Sequence, residues 1–342
     1  VIIRGSFGLG VVLLAALRAG AGGQAPPWTD ISAPVIKQLK DDNRKIDWPG
    51  ETAGVAVDPA TGDIFMIVPG QGIWKSADQG KSFARADDGV IGGRCETSYS
   101  LEFDPAGKRL ACFMLDGKCG MTSDGGKTWA SFTGLGRNWD YAAVDWTGNP
   151  VKTIFGARHE TGGEVFLSDD AGKTWNKLFT DPEFEKTGGL GIFDEKTLAY
   201  TMKGKGIQRS TDSGKTWAKI SDIEPWGRVV RIHKGIAHWL SREGLWVSKD
   251  KGATWTKQGS AVEASIGPLF DLKDDKHMAA AGPKGIFETR DGGGTWKPVA
   301  ALPEKFGMPK AGWFSNVDWD PARGLFYASQ MGKGTFKLET GN

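Results

Sequence analysis

The sequence predicts an all-β fold, a seven-bladed β-propeller, and three observations carry that prediction. One eight-residue pattern recurs six times, its copies stand at a near-constant spacing, and the composition is that of a chain rich in tight turns. Of 342 residues, 50 are Gly and 15 are Trp; Gly at about 15% is roughly twice its usual share of ~7%. Hydrophobic residues make up 39% and charged residues 25%, which excludes a disordered polymer and a membrane bundle. Collagen is excluded because no Gly-X-Y period is present. Lys and Arg number 43 against 41 Asp and Glu, a formal charge of +2, too balanced for a general nucleic-acid binder. The length would suit two or three average domains, unless a single repeat occupies all of it.

The repeat does so. Its copies read SADQGKSF from Ser76, TSDGGKTW from Thr122, SDDAGKTW from Ser168, STDSGKTW from Ser210, SKDKGATW from Ser248 and TRDGGGTW from Thr289. The aspartates 78, 124, 170, 212, 250 and 291 are thus 46, 46, 42, 38 and 41 residues apart. Four short strands and their turns need a period of this size, as in a propeller blade. The Asp carboxylate suits the backbone N–H groups of its own turn, and the Ser or Thr hydroxyl adds another partner. Gly two residues later tolerates a positive φ. Trp, or Phe83 in the first copy, opens the next strand and fills space between sheets.

The remaining elements align around this turn. Before each copy comes a glycine turn and a short strand, as in GQGIWKS or GKGIQRS, and before that a strand ending near Asp, as in GVAVDPATGD. Each unit therefore reads as strands A, B, C and D, with the repeated Asp in the C–D turn. A seventh unit, WFSNVDWDPARGLFYASQMGKGTFKLE, holds A, B and C only. Residues 26–32, PPWTDIS, supply the missing D strand, with Trp28 in the place of the repeat Trp, so both ends share one blade. Ahead of it, residues 1–25 have a basic start at Arg4, an apolar run from Gly8 to Leu17 and a small-residue exit, the layout of a secretory signal peptide. The apolar run is shorter than the ~20 residues a span needs. The expectation is a signal peptide over 1–25, a single propeller domain over 26–342, and a secreted or periplasmic protein without stable membrane insertion.

The pattern S/T-x-D-x-G-x-x-W/F resembles the Asp-box of the BNR-repeat proteins, a group of sialidase-like and glycosidase-like propellers that also includes sortilin-type receptors and photosystem assembly factors. The resemblance covers about residues 51–340. It implies a structural role for Asp78, Asp124, Asp170, Asp212, Asp250 and Asp291, each holding its own turn. The F/Y-R-I-P motif of true sialidases finds no match in residues 26–75, and although Arg94, Arg158 and Arg228 could stand in for their arginine triad, the likeness is one of architecture.

In a propeller the D–A and B–C loops share one end and surround the central channel, where small-molecule sites lie. Three loop clusters concentrate chemistry there: Arg94-Cys95-Glu96, Asn138-Trp139-Asp140-Tyr141 and Arg158-His159-Glu160. Glu96, Asp140 and Glu160 are candidate carboxylates for acid–base work, and His159 and Tyr141 candidate proton acceptors. Arg94, Arg158 and Arg228 are candidates for gripping a carboxylate or sulfate, and Trp139, Trp226 and Trp313 for stacking on sugar rings. Metal and cofactor motifs are absent: there is no HExxH, CxxC or EF-hand pattern. Among the three cysteines, Cys95 and Cys119 both fall near the upper end of blade 2 and are expected to form a disulfide, with Cys112 a buried thiol.

These residues suit a carbohydrate-active protein, with a glycoside hydrolase on an acidic or polyanionic glycan, uronate-containing or sulfated, as the leading reading. A uronate-specific polysaccharide lyase, in which Tyr or His takes the C5 proton, uses the same groups. A non-catalytic propeller that binds glycan or protein, or serves in assembly, is the alternative from another class, and fold-level likeness alone does not decide among them.

Overall fold

A computed structural model describes residues 28–87, 89–95, 97–135, 137–307 and 315–340. The proposed leader, Glu96 and Trp313 lie outside the described residues. Twenty-eight strands form seven four-stranded antiparallel sheets. Blade 1 comprises Val55–Val57, Ile64–Val68, Gly72–Ser76 and Ala84–Arg85, and blade 2 begins with Leu101–Phe103. Blades 3, 4, 5 and 6 begin with Trp139–Val144, Gly189–Ile192, Arg231–His233 and Ile266–Asp271. In blade 7 the strands Ser315–Asp320, Leu325–Gln330 and Gly334–Glu339 are completed by Thr29–Asp30, which pairs with Lys337 and Phe336. The chain ends therefore close the ring in one sheet.

The six Asp turns show why the pattern repeats. In blade 3, Asp170 accepts from the Ser168 hydroxyl (2.9 Å), the Thr174 amide (2.8 Å) and the Thr174 hydroxyl (2.6 Å), while Ser168 accepts from the Gly172 amide (2.8 Å). The bond from the Thr174 hydroxyl, with the others, holds the Asp170 carboxyl down at about 2. Gly172 sits at φ +78°, and a Cβ there would meet the Phe132 ring of the preceding blade at 2.4 Å, so Gly serves both turn and packing. The repeat Trp then ties blades together: Trp129 and Trp175 donate to the carbonyls of Ala86 (2.8 Å) and Thr133 (3.2 Å) in the blade before. Trp28 donates in the same way to Ala301 (2.9 Å), after the last strand of blade 6.

Among the described residues two α-helices decorate the ring. Pro34 opens the helix Ala33–Asp41, which lays Val35, Ile36 and Leu39 on Met66, Val68 and Trp74 of blade 1. Each such side chain contributes roughly 1.5–3 kcal/mol. The short helix Pro182–Thr187 is capped by Asp181, whose side chain accepts from the Glu183 amide (2.9 Å).

The disulfide expected between Cys95 and Cys119 is not formed: all three cysteines are buried free thiols. Met114 stands between the expected partners. Cys95 Sγ lies 3.5 Å from Met114 Sδ, and Cys119 Sγ accepts from the Met114 amide (3.0 Å). Burial pushes the Cys119 thiol up to about 12 and raises Cys95 and Cys112 as well.

Side chains cross the central channel. Tyr99, held at φ +69° in the approach to blade 2, reaches blade 6, where its hydroxyl accepts from the Gly267 amide (2.6 Å) and donates to the Gly267 carbonyl (3.2 Å). Arg231 of blade 5 pairs with Glu102 of blade 2. Beside them Asp318 of blade 7 accepts from the Val57 amide (2.7 Å) and the Trp319 amide (2.8 Å). Burial pushes the Asp318 carboxyl up to about 6 and raises Glu102 also. Blades on opposite sides of the ring are thereby bolted across its axis.

Candidate functional site

The D–A and B–C loops share the upper face, and the sequence-selected residues divide there into three environments. Asp140, His159 and Glu160 come together. His159 Nδ1 lies 2.8 Å from Asp140 Oδ1, its Nε2 lies 3.7 Å from Glu160 Oε1, and the Glu160 side chain is 80% exposed. The Asp140 carbonyl accepts from the Thr97 and Ser100 hydroxyls, fixing the dyad to blade 2.

Tyr141 and Trp139 are directed elsewhere. The Tyr141 hydroxyl donates to the Gly188 carbonyl (2.8 Å), and burial pushes the phenol up to about 12. Trp139 is fully buried and packs on Trp175 with ring centres 4.4 Å apart. It belongs to the core between blades and offers no surface for a sugar ring. Arg158 is spent near it: its Nε donates to the Asn138 carbonyl (3.0 Å) and its guanidinium lies over Trp139 and Phe166. Arg94 pairs with Asp116 and lies 4.7 Å over the ring of Trp48, which is exposed.

Trp226 and Arg228 line one groove between blades 4 and 5, a cavity of ≈ 540 Å³. It is walled by Lys203 and Thr187 from blade 4, by the 222–228 connection, and by Ser241, Arg242 and Glu243 from the B–C turn of blade 5. Trp226 is half-buried, with the Arg242 guanidinium 5.0 Å over its ring. Arg228 donates to the carbonyls of Gly188 (2.8 Å) and Lys186 (3.3 Å) and lies over Tyr141. Of the groove carboxylates, Asp222 pairs with Lys219 (2.5 Å) and Glu224 accepts from the Gly204 amide (2.6 Å). Sequence reasoning missed Asp222, Glu224 and Glu243; their signal was adjacency to Trp226 and Arg242. A second cavity of ≈ 770 Å³, between blades 5 and 6, shares Trp226 and Arg242 as its near wall and adds Lys284, Phe287 and Trp296.

Among the described residues no group of three or more His, Cys, Asp or Glu is arranged to hold a metal ion, and no helix is long and apolar enough to cross a membrane.

No protein-family model matches the chain. Over 143 residues, 41% of its length, the sequence is 29% identical to the Dispase autolysis-inducing protein of Streptomyces mobaraensis, and the match spans 38% of that protein. Among solved structures, the chain is similar over 85% of its length to the GH74 enzyme of Niastella koreensis, with a TM-score of 0.56 and 17% identity. An ancestral GH74 enzyme gives a TM-score of 0.53 at 14% identity over 84% of the chain. YCF48 bound to D1 peptide gives 0.50 at 13% over 85%. The chain spans 43% and 44% of the two GH74 chains and 94% of the YCF48 chain. At these identities the likeness is one of fold: the propeller is shared by hydrolases and by a peptide-binding protein.

Proposed function

We propose that this chain is a secreted, glycan-binding Asp-box propeller whose groove between blades 4 and 5 takes an acidic sugar chain. One observation carries the reading: a half-buried Trp226, stacked with Arg242, shares a single cavity with Lys203 and Arg228. An indole face suits the apolar face of a sugar ring, and flanking donors and acceptors suit its hydroxyls. The acidic preference rests on Arg242, Lys203 and Arg228; of the carboxylates beside them, Asp222 is offset by Lys219, while Glu224, which accepts from the Gly204 amide, and Glu243 keep their charge and temper it. Trp226 and Arg242 also wall the neighbouring cavity, so a polymer has a continuous track.

Calorimetric titration with polygalacturonate, a sulfated glycosaminoglycan and neutral cello-oligosaccharides tests this. The acidic polymers should bind, more weakly at high salt, and Trp226→Ala should lose about tenfold in affinity, ~1.4 kcal/mol. Equal binding of neutral and acidic chains, or binding indifferent to Trp226→Ala, defeats the proposal.

A second reading rests on the Asp140–His159 contact. A carboxylate on Nδ1 orients the imidazole and leaves Nε2, beside Glu160 Oε1 at 3.7 Å, as the nitrogen that C5-proton abstraction from a uronate would use. In that reaction His159 takes the C5 proton, the freed electron pair forms the C4=C5 double bond as the C4–O bond breaks, and the departing oxygen takes up a proton, giving an unsaturated sugar and a new reducing end. Rising ultraviolet absorbance from polygalacturonate, abolished by His159→Ala, would establish it; reducing ends without absorbance would point to hydrolysis.

A further inference from the structure

The central channel carries a negative charge that the groups around it leave unmatched. A cavity of ≈ 80 Å³ lies there between the first strands of blades 1, 2, 5, 6 and 7. That is room for about two or three waters at ~30 Å³ each. Asn316 and Asp318 line it from blade 7. They stand two residues apart on the strand Ser315–Asp320 and so share one face of the sheet.

Glu102 and Arg231 line the same cavity from blades 2 and 5 and pair with each other. Asp320, further along the blade 7 strand, is taken by Arg323 (2.5 Å). Blades 1 and 6 turn apolar side chains to the cavity, Val55, Val57, Ile266 and Leu269 among them. Asp318 is half-buried rather than sealed, and its two oxygens accept from backbone amides, those of Val57 (2.7 Å) and Trp319 (2.8 Å). Among the described residues no cation pairs with it. Two carboxylates, Glu102 and Asp318, thus face one guanidinium, an excess of one negative charge. Each Asp318 oxygen keeps a lone pair for a further partner.

Asn316 is an independent sign of a missing partner. It is 5% exposed, and its side-chain amide has no hydrogen-bond partner among the described residues. Buried amides are normally met. Water alone would meet the amide and leave the charge. A divalent ion would replace one excess negative charge by one excess positive charge. A monovalent cation answers both needs, since hard cations take carboxylate, amide carbonyl and water oxygens.

We propose that the channel cavity binds one monovalent alkali cation, Na⁺ or K⁺, held by the Asp318 carboxylate and the Asn316 amide oxygen, with water completing its shell. Because Asp318 also accepts from Val57, the ion secures the seam where blade 7 closes on blade 1. The site is separate from the glycan groove, so either can exist without the other.

The test is urea unfolding of the full chain at mildly alkaline pH, followed by tryptophan fluorescence, with NaCl or KCl replacing choline chloride at constant ionic strength. Above half-saturation, each tenfold rise in free Na⁺ or K⁺ should raise the folded-to-unfolded ratio about tenfold, and choline should have no effect. Asp318→Asn should abolish the response. Asn316→Leu, which removes an unmet amide, should lower Na⁺ affinity about tenfold, the worth of one contact to a charge. Should either variant fail to fold, sodium NMR on the unaltered protein decides: the folded chain should broaden the Na⁺ line, and K⁺ but not choline should reverse the broadening. Equal midpoints in sodium, potassium and choline, without broadening, would mean that water alone fills the cavity and would overturn the proposal. So would a Na⁺ response that survives Asp318→Asn, unchanged Na⁺ affinity in Asn316→Leu, or calcium stabilising more strongly than either alkali ion.

Discussion

Replacing Tyr99 by Phe removes one oxygen from the middle of the ring. In the structure that oxygen serves Gly267 twice, accepting from its amide at 2.6 Å and donating to its carbonyl at 3.2 Å. Tyr99 is 6% exposed, so water does not readily replace the hydroxyl. The larger loss is the Gly267 N–H, left as a buried donor with its acceptor gone, at about 1–3 kcal/mol. Tyr141→Phe is the matched control. Its hydroxyl donates to the Gly188 carbonyl, which keeps a second donor in Arg228 Nη1 at 2.8 Å, and the Arg228 guanidinium that also meets the hydroxyl keeps the carbonyls of Gly188 and Lys186. That change leaves no orphaned group and should cost only about 0.5–1.5 kcal/mol. Urea unfolding followed by tryptophan fluorescence should place Tyr99→Phe below Tyr141→Phe with unchanged m-values. Hydrogen exchange should accelerate at the Gly267 amide in Tyr99→Phe alone. If the two variants are equally stable and Gly267 exchange is unaltered, Tyr99 does not brace the channel.

Three further outcomes are expected. Asp318 titrates near 6 in the folded protein against an ordinary 3.8; the unfolded chain releases its proton first, so stability falls as pH rises from about 4 to 6, by on the order of 3 kcal/mol, and Asp318→Asn should flatten that segment of a stability-versus-pH series. Trp28→Ala removes the indole that bonds Ala301 and packs in the blade 6–7 core; a loss of about 2–4 kcal/mol should appear in urea midpoints, and an unchanged midpoint would mean the closing strand contributes little. Iodoacetamide should leave the folded protein unmodified and label all three cysteines in denaturant, because burial both shields the thiols and holds Cys119 at about 12; labelling at comparable rates in both states contradicts the free, buried assignment.

The architecture was legible because it repeats. Each Asp turn solves the same local problem with the same hydroxyl, carboxylate and glycine, so six copies report one geometry and their spacing reports the blade. Trp28 was legible for the same reason, as it makes the bond that Trp129 and Trp175 make to the blade before. The cross-channel bolts were not legible. Tyr99 and Gly267 are 168 residues apart, and Glu102 and Arg231 are 129 apart; no local pattern links residues that meet only when the ring closes. The disulfide expectation failed on a similar point, since chain proximity of Cys95 and Cys119 at one end of a blade does not reveal that Met114 lies between them.

Which tryptophan lines an open groove was also a question of packing, and the comparison of blades 3 and 5 explains the answer. In blades 3 and 5 the repeat Trp packs on a second indole. In blade 3 that partner is Trp139 from the D–A approach, set 4.4 Å from Trp175 where Gly156 makes room; a Cβ at Gly156 would meet the Trp139 ring at 2.6 Å. In blade 5 the partner is Trp239 from the second strand, fully buried, 5.7 Å from Trp255 and bonded to the Gly227 carbonyl at 2.7 Å. With that place filled from within the blade, Trp226 of the D–A approach is displaced outward onto the groove, where Arg242 stacks on it. Counting aromatics by loop treats Trp139 and Trp226 alike. Asking whether the same blade's inner strands already supply a Trp separates them, because a core slot holds one indole and the surplus ring must find another surface.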